Sequence, residues 1–147
     1  MISKSVELYG FKLPPGEFTI VIGEESLDVF NKFINKGLSW AVSGVDWTKS
    51  KYIERCEVGD KLSIIELLTN IREKYKLNGR YSLWFESSYP VLISGDIKHL
   101  CDMVSFFDEH PFMSCADFWI FSENTGECIE IYHEDTITLG LSAGASS

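Results

Sequence analysis

Cys128 and His133 stand five residues apart in the run CIEIYHEDTITLG (128–140), with carboxylates at Glu127, Glu130, Glu134 and Asp135 around them. A thiol, an imidazole and acids are the raw material of a metal site, or of a nucleophilic cysteine activated by a base. Spacing argues against a Cys128–His133 dyad. On an extended strand five residues cover about 16 Å, and odd separation sends the two side chains to opposite faces.

The other chemical patterns also fall short. The zinc-ligand types His99, Cys101, His110, Cys115, Cys128 and His133 give only H-x-C at 99–101 and H-x₄-C at 110–115. A structural zinc site shows close pairs such as C-x₂₋₄-C. HPFMSC (110–115) lacks the glutamate and the spacing of a zinc deaminase. No glycine-rich phosphate loop is present, and SGD and NGR do not make one. Pairs of acids able to do glycoside chemistry are unremarkable in a chain with 22 of them. The expectation is no enzyme, no metal and no cofactor.

Charge is the more informative feature. The net charge is −9, and residues 1–80 carry 11 acids and 12 bases, whereas residues 81–147 carry 11 acids and the single base Lys98. A half-chain so poor in Lys and Arg does not neutralise phosphates, which disfavours nucleic acid. It equally disfavours anionic membranes and favours a basic protein partner drawn in by long-range attraction. No apolar run approaches a membrane span, and the start MISKSVELYGFKL has no apolar signal core. The expected compartment is therefore the cytoplasm, with the four cysteines as free thiols.

These groups must be positioned by alternating strands and helices. SVELYGFKL (5–13) and EFTIVIG (17–23) read as strands joined through PPG. SLDVFNKFINKG (26–37) reads as a helix capped by Ser26, with Leu27, Phe30 and Ile34 on one face and Gly37 at its end. LSWAVSGVDW (38–47) reads as a strand whose Trp40 and Trp47 flank a possible pocket, and TKSKYIERCEVGDK (48–61) has no clear pattern.

In SIIELLTNIREKYKLNG (63–79), Ser63 and Glu66 fit a capping box. Ile64, Leu67, Leu68, Ile71 and Tyr75 form that helix's apolar stripe, and Asn78-Gly79 is its expected close. RYSLWFES (80–87) and YPVLIS (89–94) are strands, the latter with Pro90 at its start or on an edge. GDIKHLCDMVSFFDEHP (95–111) is a third helix with Ile97, Leu100, Cys101, Val104 and Phe107 inside. Its last turn holds Asp108 and Glu109, charges unfavourable to the helix dipole. ADFWIFS (116–122) is apolar on both faces, as a central strand is. CIEIYH (128–133) and TITLG (136–140) complete an α+β single domain over 1–140, with a mainly antiparallel sheet, about three helices and a flexible tail at 141–147.

Strand parity puts Ile129, Ile131, Ile137 and Leu139 on the buried side of the final hairpin, and Glu130, Tyr132 and Glu134 on the other. Glu123 and Glu127 bracket the preceding turn. Glu123, Glu127, Glu130, Tyr132, Glu134 and Asp135 are thus the expected partner-binding surface, with carboxylates for steering and Tyr132 as anchor.

The run ADFWIFSENTGECIEIYHEDTITLG (116–140) resembles the C-terminal hairpin of bacterial toxin-immunity proteins, including those of contact-dependent growth inhibition systems. The resemblance implies a cytoplasmic protein that binds and blocks a cognate toxin domain, commonly a nuclease. The free chain is expected to be a monomer or weak oligomer. The alternative is a small-ligand or enzymatic domain with a pocket lined by strand aromatics.

Overall fold

The sheet is built outward from FWIF, the strand β7 (Phe118–Phe121), in which all four side chains are buried. A strand with no polar face needs cover on both sides. In the computed structural model, which describes residues 7–8, 11–13, 16–35, 45, 51–57, 63–86, 89–109, 117–132 and 136–141, it has that cover. β7 lies fourth in a seven-stranded sheet. The other strands are β3 (Phe18–Ile22), β4 (Lys51–Glu57), β5 (Arg80–Glu86), β6 (Pro90–Asp96), β8 (Glu127–Tyr132) and β9 (Thr136–Leu141). The order is β3-β6-β5-β7-β8-β9-β4, and every neighbouring pair is antiparallel. With three helices among the described residues, this is one α+β domain.

One face of the sheet presents Leu83, Phe85, Val91, Ile93, Phe118, Ile120, Ile129, Ile131, Ile137 and Leu139. Against it pack α2 (Ile64–Lys74) and α3 (Ile97–Asp108). The five residues expected inside α3 are all buried, together with Met103. Each such large side chain contributes about 1.5–3 kcal/mol by leaving water. The opposite face presents Leu92, Trp84, Trp119, Phe121 and Cys128, covered by Phe30, Phe33 and Ile34 of α1 (Glu24–Ile34). Phe30 stacks on Trp84, ring planes 2° apart and centroids 4.2 Å apart.

Local chemistry explains the element ends. Ser63 caps α2 as expected, its Oγ accepting from Glu66 N–H while Glu66 reaches back to Ser63 N–H. α2 closes earlier than Asn78-Gly79. Lys76 takes the left-handed turn at φ 55°, and Leu77 N–H donates to Arg72 C=O at 2.8 Å. Pro90 does start its strand.

α1 begins before Ser26. Its N-cap is Gly23 at φ 94°, which glycine adopts freely, and Ser26 lies inside the first turn with its hydroxyl donating to Gly23 C=O at 2.7 Å. The SVELYGFKL segment is not one strand: β1 (Glu7–Leu8) and β2 (Phe11–Lys12) pair antiparallel with each other. The unpatterned segment holds the edge strand β4, whose register against β9 slips between Tyr52 and Glu54. That bulge breaks the two-residue alternation by which a strand is recognised. The expected strand at 38–47 is described only at Val45, and the tail at 142–147 lies outside the described residues.

Candidate functional site

The final hairpin's expected buried side is buried, all four residues at 3% exposure or less. Its other side differs from expectation at Glu130, which is 4% exposed. Glu130 pairs in register with Trp119, and the second face is itself roofed at this point. Its Oε2 accepts from the Trp119 indole N–H at 2.9 Å and from the Val45 backbone N–H at 2.7 Å. The carboxylate fastens a segment 85 residues away onto the sheet, and its charge points inward.

The remaining expected contact residues separate. Glu127 and Tyr132 close opposite ends of β8, about 17 Å apart at the usual rise. Glu127 is on the α2–α3 side, where it accepts from the Tyr81 hydroxyl and from Thr125 Oγ1. Glu123 is exposed in the turn before it. Tyr132 is half-buried at the other end, opposite Thr136. The connection between these two holds His133, Glu134 and Asp135, which lie outside the described residues.

Topology makes the Tyr132 end acidic. β4 finishes there with Glu57, α3 finishes with Asp108 and Glu109, β7 is entered through Asp117, and α1 begins with Glu24 and Glu25. The row Ile22, Val91, Phe85, Phe118, Ile131, Ile137, Cys56 runs across the sheet just inside this end. Phe107 meets Phe85 and Phe118 in the same row, so α3 terminates beside it. Glu24, Glu25, Glu57 and Glu109 are exposed. No Lys or Arg is present among the described residues closing this end. The opposite end mixes Lys76, Arg80 and Lys98 with Glu17, Asp96, Glu123 and Glu127.

The surroundings of the three described cysteines disfavour the thiolate. Burial pushes the Cys101 thiol up to about 12, and burial together with Glu130 pushes Cys128 well above its ordinary range. Cys56 is raised by burial and by the Glu54 carboxylate, to which its Sγ donates at 3.6 Å. Among the described residues no three His, Cys, Asp or Glu side chains are grouped to hold a metal ion. Also among these residues, no helix is long and apolar enough to cross a membrane.

The family model for the CdiI immunity protein, EcoliA0-like, matches residues 15–140. The chain belongs to this CdiI immunity family. No curated protein and no solved structure matches it. The family assignment gives the chain a toxin-neutralising immunity role with a cognate toxin as partner.

A CdiI-family chain needs a surface that a toxin can grip, and strand parity alone did not reveal one feature of this fold. Between α1 and the sheet lies a cleft of about 400 Å³ lined by Leu27, Phe30, Asn31, Ile34, Asn35 and Trp84. Trp84 is 5% exposed, and its indole N–H has no hydrogen-bond partner among the described residues. The helical spacing of Leu27, Phe30 and Ile34 fixed their inward face in the sequence; the cleft depends on Trp84, which is distant in the chain. Trp40 and Trp47, the expected pocket pair, lie outside the described residues.

Proposed function

We propose that this immunity protein acts in the cytoplasm as a non-catalytic, one-to-one neutraliser of a basic, nuclease-like toxin domain, which it captures through its acidic end. The observation that carries this is the gathering of Glu24, Glu25, Glu57, Asp108, Glu109 and Asp117 at one end of the sheet. Tyr132 borders that end, and Glu134 and Asp135 belong to the connection that follows it. Glu109 caps α3 at its C-terminus and Asp108 ends the last turn, with no basic residue to oppose the dipole. Negative charge there works against helix stability. A binding role gives it a reason to persist. Nucleic acid and anionic membranes are poor partners for such a surface, and the free chain is proposed to be a monomer or weak oligomer.

The test uses a catalytically inactive form of the cognate toxin domain, identified by pull-down from the source cell. Reversing Glu109, Glu134 and Asp135 to lysine together should slow association and flatten its salt dependence. The on-rate advantage of steered over unsteered association is about tenfold or more. Unchanged rates at every ionic strength would remove the acidic end from the interface.

A further inference from the structure

Resting on that immunity reading, we infer that the α1–Trp84 cleft is a second contact point for the toxin, receiving one apolar side chain from a basic segment. A backbone carbonyl beside that side chain accepts from Trp84 Nε1–H.

The cleft has an apolar floor and an amide rim. Leu27, Phe30 and Ile34 supply the walls with Trp84, while the exposed Asn31 and Asn35 stand at its edge. The Trp84 N–H is buried and finds no acceptor among the described residues. A buried donor without an acceptor is costly, and such groups are rare in folded proteins. Phe30 stacks parallel on the ring and holds it in place. Trp119, its neighbour across the strand pair, differs because its own N–H is taken by Glu130. Two tryptophans side by side on one face thus differ: the indole N–H of Trp119 is bonded to Glu130, and that of Trp84 is buried without an acceptor among the described residues.

Charge identifies the occupant. Glu24, Asp28, Asn31 and Asn35 recur at spacings of four, three and four on α1 and are all exposed, which makes one stripe along the helix. The stripe starts at the acidic end and runs to the cleft. An acidic segment would be repelled along it, whereas Lys or Arg flanking an apolar anchor would meet Glu24 and Asp28 as the anchor enters. An apolar side chain set in a pocket and ringed by polar groups is the usual composition of an interface anchor.

The test again uses the inactive cognate toxin domain. Asn31→Tyr places neutral bulk at the rim on an exposed helical position. It should leave thermal unfolding unchanged and weaken binding by about tenfold or more. In a ¹⁵N-labelled chain the Trp84 indole proton, assigned by its loss in Trp84→Phe, should shift downfield in the one-to-one complex. A complex that forms with wild-type affinity for Asn31→Tyr, and with the Trp84 indole unmoved at saturation, would overturn the cleft and leave the immunity reading standing. An indole shift that follows the chain's own concentration would assign the cleft to a second copy and also overturn it. Failure of the wild-type chain to bind the toxin domain at all would remove the immunity reading, and the cleft with it. If Trp84→Phe does not fold, specific labelling at tryptophan and the Asn31→Tyr affinity decide the outcome.

Discussion

Replacing Glu130 by alanine should destabilise the free protein and leave its grip on a toxin intact. Glu130 Oε2 accepts two hydrogen bonds, from Trp119 Nε1 at 2.9 Å and from Val45 N at 2.7 Å, at a position 4% exposed. Removing the carboxylate orphans two buried donors, each costing about 1–3 kcal/mol. The desolvation cost of the charge itself disappears with it and offsets part of that loss. A net destabilisation of about 3 kcal/mol results, a large share of the ~5–15 kcal/mol typical of a domain. In urea the midpoint should fall by roughly 1.5 M at an ordinary slope. The melting temperature should fall by roughly 10 °C for a chain of this size. Glu130→Gln keeps an oxygen for both donors and loses only the charge, so its effect should be about 1 kcal/mol. Affinity for the inactive toxin domain, measured where both variants are folded, should stay at the wild-type value. An alanine variant of wild-type stability with weakened, salt-sensitive binding would refute the reasoning, because it would mean that the carboxylate faces solvent and the partner.

Two further outcomes follow from the α2 region. Ser63→Ala breaks the capping box and should cost about 1 kcal/mol, read as a shift in urea midpoint without a change in slope. Glu54 accepts from Lys74 Nζ and Tyr75 Oη, both at 2.5 Å, and these contacts hold its carboxyl below the ordinary 4.5. Because the folded value is the lower one, its contribution is present above the unfolded value and is lost as pH falls through the folded one. Glu54→Gln should therefore flatten the acid limb of stability below about pH 4.5 and leave its pH dependence from 6 to 8 unaltered, measured by urea titrations across pH.

Periodicity made most of the secondary structure legible, because a 3.6-residue stripe or a two-residue alternation is written locally. Leu67, Leu68 and Ile71 announced α2, and Ile129, Ile131, Ile137 and Leu139 announced the packed side of the last hairpin. Where the backbone departs from the ideal repeat, legibility was lost. The slip at Ile53 hid β4, and a reversal within the first segment hid the β1–β2 pair. α1 starts two residues before its apparent serine cap because Gly23, a residue with no side chain to offer, supplies the turn. The contact surface was the least legible part. Alternation tells which residues share a face of a strand; it does not tell whether that face is roofed. Glu130 shares a face with Tyr132, yet it lies beneath Val45 and beside Trp119, contacts made by residues far away in the sequence.

The burial of Glu130 alters how the chain's negative charge operates. An acid bonded inside the sheet is fixed, and moving it to a partner would require breaking the attachment of Val45. The exposed acids of the acidic end lie where elements end: Glu57 at the end of β4, Glu109 past α3, Glu24 and Glu25 at the start of α1. Element ends are brought together by topology alone, so antiparallel order gathers at one end charges that are dispersed along the chain. The excess of acids in residues 81–147 therefore underestimates the asymmetry, since Glu24, Glu25 and Glu57 come from the balanced half and join the same end. A field built in this way depends on the fold. Partial unfolding of the edge strand β4 would remove Glu57 from the acidic end, and the toxin capture proposed for that end would weaken before the core opened.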